Sequence, residues 1–152
     1  TISCWIRPNA LPVNNEFSIV SQDVNVGQRA WGLGIDNAAA TNFLRFLYTT
    51  NGSTVSGAEY AITILVNTWY HVAIVRSSTN LYFFLDGTQV TGSPFNIATD
   101  SIFDSTDELR VGDDPLAGGA WNGWIDDLSM FTFKCSVVVA YGWCRCLNNF
   151  HG

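Results

Sequence analysis

Charge is scarce in this chain: 13% of its 152 residues are charged, and seven of those are basic. A surface that grips a nucleic-acid duplex needs clustered Lys and Arg to displace counterions. Seven basic residues scattered along the chain, under a net charge of −6, make no such patch and exclude nucleic acid as the partner. Long apolar runs are missing too, and none approaches the roughly 18 residues of a membrane span. The longest near the end, Val137–Tyr141, has the length of a strand. No amino-terminal leader with a charged head and an apolar middle is visible. No stretch keeps a 3.6-residue apolar period over three turns, so helices are not expected.

Glutamate is rare as well. Glu16, Glu59 and Glu108 are the three in the chain, and none opens a Glu-x-Asp-x-x-Glu run. A retaining glycosidase built on one strand needs two carboxylates on one face, about 5–5.5 Å apart. Asp126 and Asp127 are neighbours and point to opposite sides of a strand, so they cannot form that pair. The expectation is a protein that is not an enzyme. His71 sits between Tyr70 and Val72 in an aromatic and β-branched run, with no nucleophile motif beside it. It reads as a hydrogen-bonded sheet residue.

Apolar residues are abundant, at 47%, and aromatics reach 14% with six Trp and ten Phe. That is enough to build a core and, with many Thr, Val and Ile, leans towards sheet. Strand-like runs follow one another: Ile2–Arg7, Glu16–Gln22, Ala30–Asp36, Phe43–Thr49, Glu59–Leu65 and Trp69–Arg76. Asn80–Gly92 reads as a hairpin, because Asp86-Gly87 supplies the positive φ angles of a two-residue turn. Glu108–Gly112 and Trp124–Phe131 close the series, and Asn51–Gly57 reads as a polar loop. Ten short strands with frequent turns predict an all-β, two-sheet antiparallel jelly-roll sandwich in a single domain spanning 1–152. The chain opens already in alternating register, from which a domain of a longer protein is expected.

Four cysteines, Cys4, Cys135, Cys144 and Cys146, allow three pairings, and the spacing does not choose among them. Cys144 and Cys146 are too close in sequence to pair easily with each other. Cys-x-Cys with His151 lacks the paired C-x2-C ligands of a structural zinc site.

Four segments in order carry a resemblance. "TISCWIRP", "NTWYHVAIVR", "LYFFLDGTQV", and "ELRVGDD" followed by "WNGWIDDLSMF" resemble strands of the laminin G-like, pentraxin-like branch of the concanavalin A-like jelly rolls. The resemblance covers roughly 1–131. It implies a concanavalin A-like sandwich with ligands held at the loop rim or on the concave sheet. It departs at both ends: the strand that precedes "TIS" in the family is not seen, and the tail 132–152 is atypical. The resemblance also implies a structural calcium held by Asp126 with backbone carbonyls from near the N-terminus.

A recognition or adhesion module of an extracellular or virion-surface protein is therefore expected, binding glycan or protein. The alternative is a purely structural decoration or fibre module that contacts other subunits, with the apolar tail as the assembly contact. Calcium takes six to eight oxygens from loop carboxylates and carbonyls. Asp104, Asp107, Asp113 and Asp114 lie in Asp-rich loops and are candidate ligands beside Asp126. Trp121, in the Gly-rich "AGGAWNG" loop, is the leading candidate to stack on a sugar, with Trp31 and Trp124. Trp5 and Trp69 are expected in the core. Asn51-Gly52-Ser53 matches a glycosylation acceptor.

Overall fold

A computed structural model describes residues 1–116 and 119–131, and the backbone of 137–138 and 144–145. The strands are β1 (Ile2–Pro8), β2 (Glu16–Gln22), β3 (Trp31–Ala38), β4 (Thr41–Thr49), β5 (Val55–Ile62) and β6 (Tyr70–Ser77). They continue with β7 (Asn80–Leu85), β8 (Thr88–Gln89), β9 (Phe95–Asn96), β10 (Arg110–Val111), β11 (Gly119–Ala120) and β12 (Gly123–Met130). A small ladder joins β13 (Val137–Val138) to β14 (Cys144–Arg145). No helix occurs among the described residues, and none is long and apolar enough to cross a membrane.

Two six-stranded sheets carry the fold. The first runs β12-β1-β6-β7-β8, with β9 on β7. The second runs β10-β2-β3-β4-β5, with β11 on β2. Pairing is antiparallel except between β11 and β2. The expected jelly-roll sandwich is what forms.

Side-chain alternation makes the core. Cys4 and Ile6 of β1, Val72 and Ile74 of β6, and Leu81 and Phe83 of β7 point inward from the first sheet. Leu33, Ile35, Leu44 and Phe46 meet them from the second. Tyr60 packs edge-on to Phe83 at 4.9 Å between ring centroids. Cys4 is a buried free thiol, and burial pushes its pKa up to about 12. Cys135, Cys146 and His151, and most of the tail, lie outside the described residues.

The hairpins follow the turn chemistry. Asp86 and Gly87 both have positive φ, 49° and 75°, and the Asp86 side chain accepts a hydrogen bond from the His71 backbone N–H (2.8 Å). Between β3 and β4 the same two-residue geometry is imposed on Ala39 and Ala40 (φ 50° and 64°). Most strand ends shift by one or two residues from the sequence reading, two short strands, β9 and β11, are absent from that reading, and β5 shifts most. β5 begins at Val55, inside the stretch read as a polar loop, and ends at Ile62. Its ladder with β4 runs unbroken from Thr49↔Val55 to Asn42↔Ile62. Backbone pairing to a long neighbour thus overrides the poor strand propensity of Ser56 and Gly57.

Candidate functional site

The outward faces of the two sheets differ in chemistry. On the second sheet, Glu16, Ser18 and Ser21 of β2 sit opposite Asp36, Gly34 and Gly32 of β3, and Arg45 of β4 lies between Gly34 and Glu59 of β5. The Arg45 guanidinium donates through Nη1 to Glu16 Oε2 (3.0 Å) and Asp36 Oδ2 (3.4 Å). Its Nε lies 3.5 Å from Glu59 Oε2. Burial drives the Glu16 carboxyl up to about 7; Arg45 opposes this, while Asp114, Asp36 and Glu59 add to it. This cross-strand cluster is invisible to a search for carboxylates along one strand. It does not amount to a catalytic pair: Glu16 is 3% exposed, one oxygen is held by Arg45, and the other is pressed against Gly34.

The loop acids are placed separately. Asp107 accepts from the Val24 and Asn25 backbone N–H groups and from Asn25 Nδ2 (3.2, 2.7 and 2.8 Å). The Asn25 side chain leads in lowering its pKa. Asp113 pairs with Arg110 at 2.8 Å. Asp114 is buried, caps the Leu116 N–H (3.0 Å) and rests against Gly32. Asp104 is exposed. Asp126 lies on the other sheet, beside Trp5, and accepts from the Asp127 N–H (2.8 Å). The structure does not bring these five carboxylates together. Among the described residues no three His, Cys, Asp or Glu side chains converge in a way that could hold a metal ion.

The tryptophans are redistributed relative to expectation. Trp31 is 9% exposed and stacks on Phe46 at 6.2 Å, inside the sandwich. Trp121 packs against the edge of the core and donates through Nε1 to Trp124 O (3.3 Å). Trp124 is 60% exposed. Trp5 and Trp69, expected in the core, are on the outward face of the first sheet. In β1 the inward places belong to Cys4 and Ile6, which leaves Ser3, Trp5 and Arg7 outside. Tyr70 packs against the core, so Trp69 before it points out, and it is 42% exposed.

Register then builds two adjacent rows on this face. Trp124 pairs with Arg7; the β1–β6 ladder ends at Ile6↔Tyr70, and Trp69 directly precedes that last pair, at the same end of the sheet as Arg7. Arg7 Nε donates to Asn67 O (3.2 Å), tying the arginine to the entrance of β6. The next row is Asp126, Trp5 and His71. His71 is 2% exposed and meets Trp5 edge-on at 5.4 Å; burial lowers its pKa, against the pull of Asp86. It lies within the sheet as expected, but the side-chain hydrogen bond expected of it is not formed at Nδ1, which is buried without a partner. The signal that could have found this face was the shared alternation of Trp5, Trp69 and Trp124 relative to their buried neighbours.

Comparison with known proteins agrees with the fold. A family model described as the Concanavalin A-like lectin/glucanases superfamily, of laminin G type, matches residues 1–137. The chain is 23% identical over 134 residues to the adhesion G-protein coupled receptor V1 of Danio rerio, covering 87% of this chain and 2% of the receptor. Among solved structures it is similar to the heptameric SAP-like pentraxin of Limulus polyphemus (TM-score 0.60, 18% identity, 84% of this chain and 60% of that one). It is also similar to domains LG4-5 of the mouse laminin α1 chain (TM-score 0.56, 14% identity, 84% and 33%). A third is domain 4 of a GH43 extracellular arabinanase from Geobacillus stearothermophilus, in complex with arabinotriose (TM-score 0.55, 15% identity, 84% and 57%). The chain thus spans a small part of the receptor and at most three-fifths of these structures. Two jelly-roll sheets and a family match over nine-tenths of the sequence place this chain in the laminin G-type family of the Concanavalin A-like lectin/glucanases superfamily.

Proposed function

We propose that this is a non-catalytic recognition module of an extracellular adhesion or surface protein, and that it docks its ligand on the outward face of β12, β1 and β6. One observation carries the reading: Trp124, paired with Arg7 of β1, and Trp69, at the entrance of β6, are both exposed at the same end of that sheet. Exposed tryptophans of this kind are what recognition surfaces use, since a rigid ring buries much area at little entropic cost. The receptor relative, an adhesion protein by its name, supports the class, and the arabinotriose in complex with the arabinanase domain supports a glycan as one ligand type.

The test is an array of glycans and extracellular-matrix proteins probed with the 152-residue chain and with a Trp69→Ala/Trp124→Ala double variant. Each is run in calcium and again in excess EDTA. Ligands of the parent chain should be lost by the variant. Binding retained by the variant but abolished by EDTA would move the site to a cation held by Asp126 or by the Asp104–Asp114 loops. No ligand in either condition would favour the structural reading, a decoration or assembly module of a surface or virion.

A further inference from the structure

The same end of the sheet constrains the ligand more closely than the reading above, on which this inference rests. We infer that the outward face of β12-β1-β6 takes a neutral polysaccharide chain of β-linked pyranoses, laid across the strands with its rings on Trp124 and Trp69.

Spacing is the first argument. Trp124 belongs to β12 and Trp69 adjoins β6, with β1 between them. Neighbouring strands lie about 4.8 Å apart, so the backbones that carry the two indoles lie about 10 Å apart across the sheet. That is close to the length of one disaccharide unit of an extended β-linked chain. Equatorial linkages leave such a chain with flat C–H faces that suit an indole, and the next ring but one presents the same face. Between the two contacts lies Arg7, whose guanidinium can donate to ring and hydroxyl oxygens. Behind them, in the Asp126–Trp5–His71 row, the Asp126 carboxylate can accept from hydroxyls.

Charge is the second. Arg7 is the cation of the first row, Asp126 stands in the second, and the whole chain carries −6. A sulfated or uronic-acid polymer would meet net repulsion and find no row of basic residues to neutralise it. An uncharged chain meets neither obstacle.

Twist is the third. Adjacent strands rotate by about 20–25°, so contacts two strands apart are turned by roughly 45°. A single soluble chain can follow that rotation, whereas the flat face of a crystalline polysaccharide cannot.

Calorimetric titration of the full chain tests this with soluble β-glucan oligosaccharides of increasing length, a sulfated glycosaminoglycan and microcrystalline cellulose. Affinity should rise until the oligosaccharide reaches both indoles and then level off. The glycosaminoglycan and the crystalline surface should bind weakly or not at all. Trp124→Ala and Trp69→Ala should each weaken oligosaccharide binding roughly tenfold or more. Trp124→Phe, which keeps a ring, should recover part of it. Both sites are exposed, and thermal unfolding of each variant confirms its fold. Failure of neutral β-glucans to bind, or binding that both alanine variants retain, overturns the inference. If neutral glucans fail while another array ligand is lost on removing the two tryptophans, the docking face stands and only the ligand class falls.

Discussion

Glu16 lies over Gly34 of the neighbouring strand: a Cβ built on Gly34 would sit 2.4 Å from Glu16 Oε1 and 2.8 Å from Phe17 O. The glycine is the gap into which the carboxylate folds. One obstacle is backbone, so rotation of the glutamate alone cannot relieve it. Gly34→Ala should therefore destabilise the domain by about 1–3 kcal/mol, the usual cost of overpacking. Denaturant unfolding of the variant measures this. An unchanged midpoint would show that Glu16 does not occupy the gap.

Glu16 also sets a pH dependence. Arg45 on β4, Asp36 on β3, Glu59 on β5 and Asp114 in the loop all act on it, yet burial dominates and its folded pKa stands near 7 against a reference of 4.5. The folded state then holds a proton that the unfolded state has released. Stability from this group is complete below the reference value and is lost as pH rises from about 4.5 to about 7, on the order of 3 kcal/mol in all. Glu16→Gln removes the titration. The parent should lose stability relative to this variant between pH 5 and pH 8. His71, whose pKa burial lowers, acts with the opposite sign but in both proteins, so it cancels in the difference. Parallel stability curves would contradict the assignment.

The β3–β4 turn is strained in a correctable way. Ala39 and Ala40 both occupy the left-handed region, where a Cβ costs roughly 1–2 kcal/mol per residue. Asn and Gly are the residues that a two-residue turn of this hand prefers. Ala39→Asn with Ala40→Gly should raise the unfolding midpoint by an amount equivalent to about 1 kcal/mol or more. The check is calorimetric, and a lowered midpoint would mean that the turn is not of this type.

Much of the fold was legible in order of appearance. Asp86-Gly87 announced its hairpin because the turn is a local property of two residues. Cys4 and Ile6 against Ser3, Trp5 and Arg7 announced a two-faced strand because alternation is local too. The β5 boundary was not legible, since Ser56 and Gly57 are poor strand formers that pair only because β4 is already there. The Arg45 cluster was hidden for a related reason: Glu16, Asp36, Glu59 and Asp114 meet only when four elements align. Trp121 looked exposed from its glycine-rich surroundings, yet it is wedged beside Ile125 and Gly112 at the core edge.

By itself, then, the sequence determined the strand content, the hairpin at Asp86, the poverty of basic residues and the lack of a one-strand catalytic pair. These depend on composition and on contacts between near neighbours. Tertiary structure decided which face of each strand met the other sheet, and so which tryptophans remained outside. Strand alternation divides residues into two sets but carries no label for inside and outside; that label comes only when a second sheet covers one set. Trp31 was covered, Trp124 and Trp69 were not, and the proposed recognition surface rests on that difference.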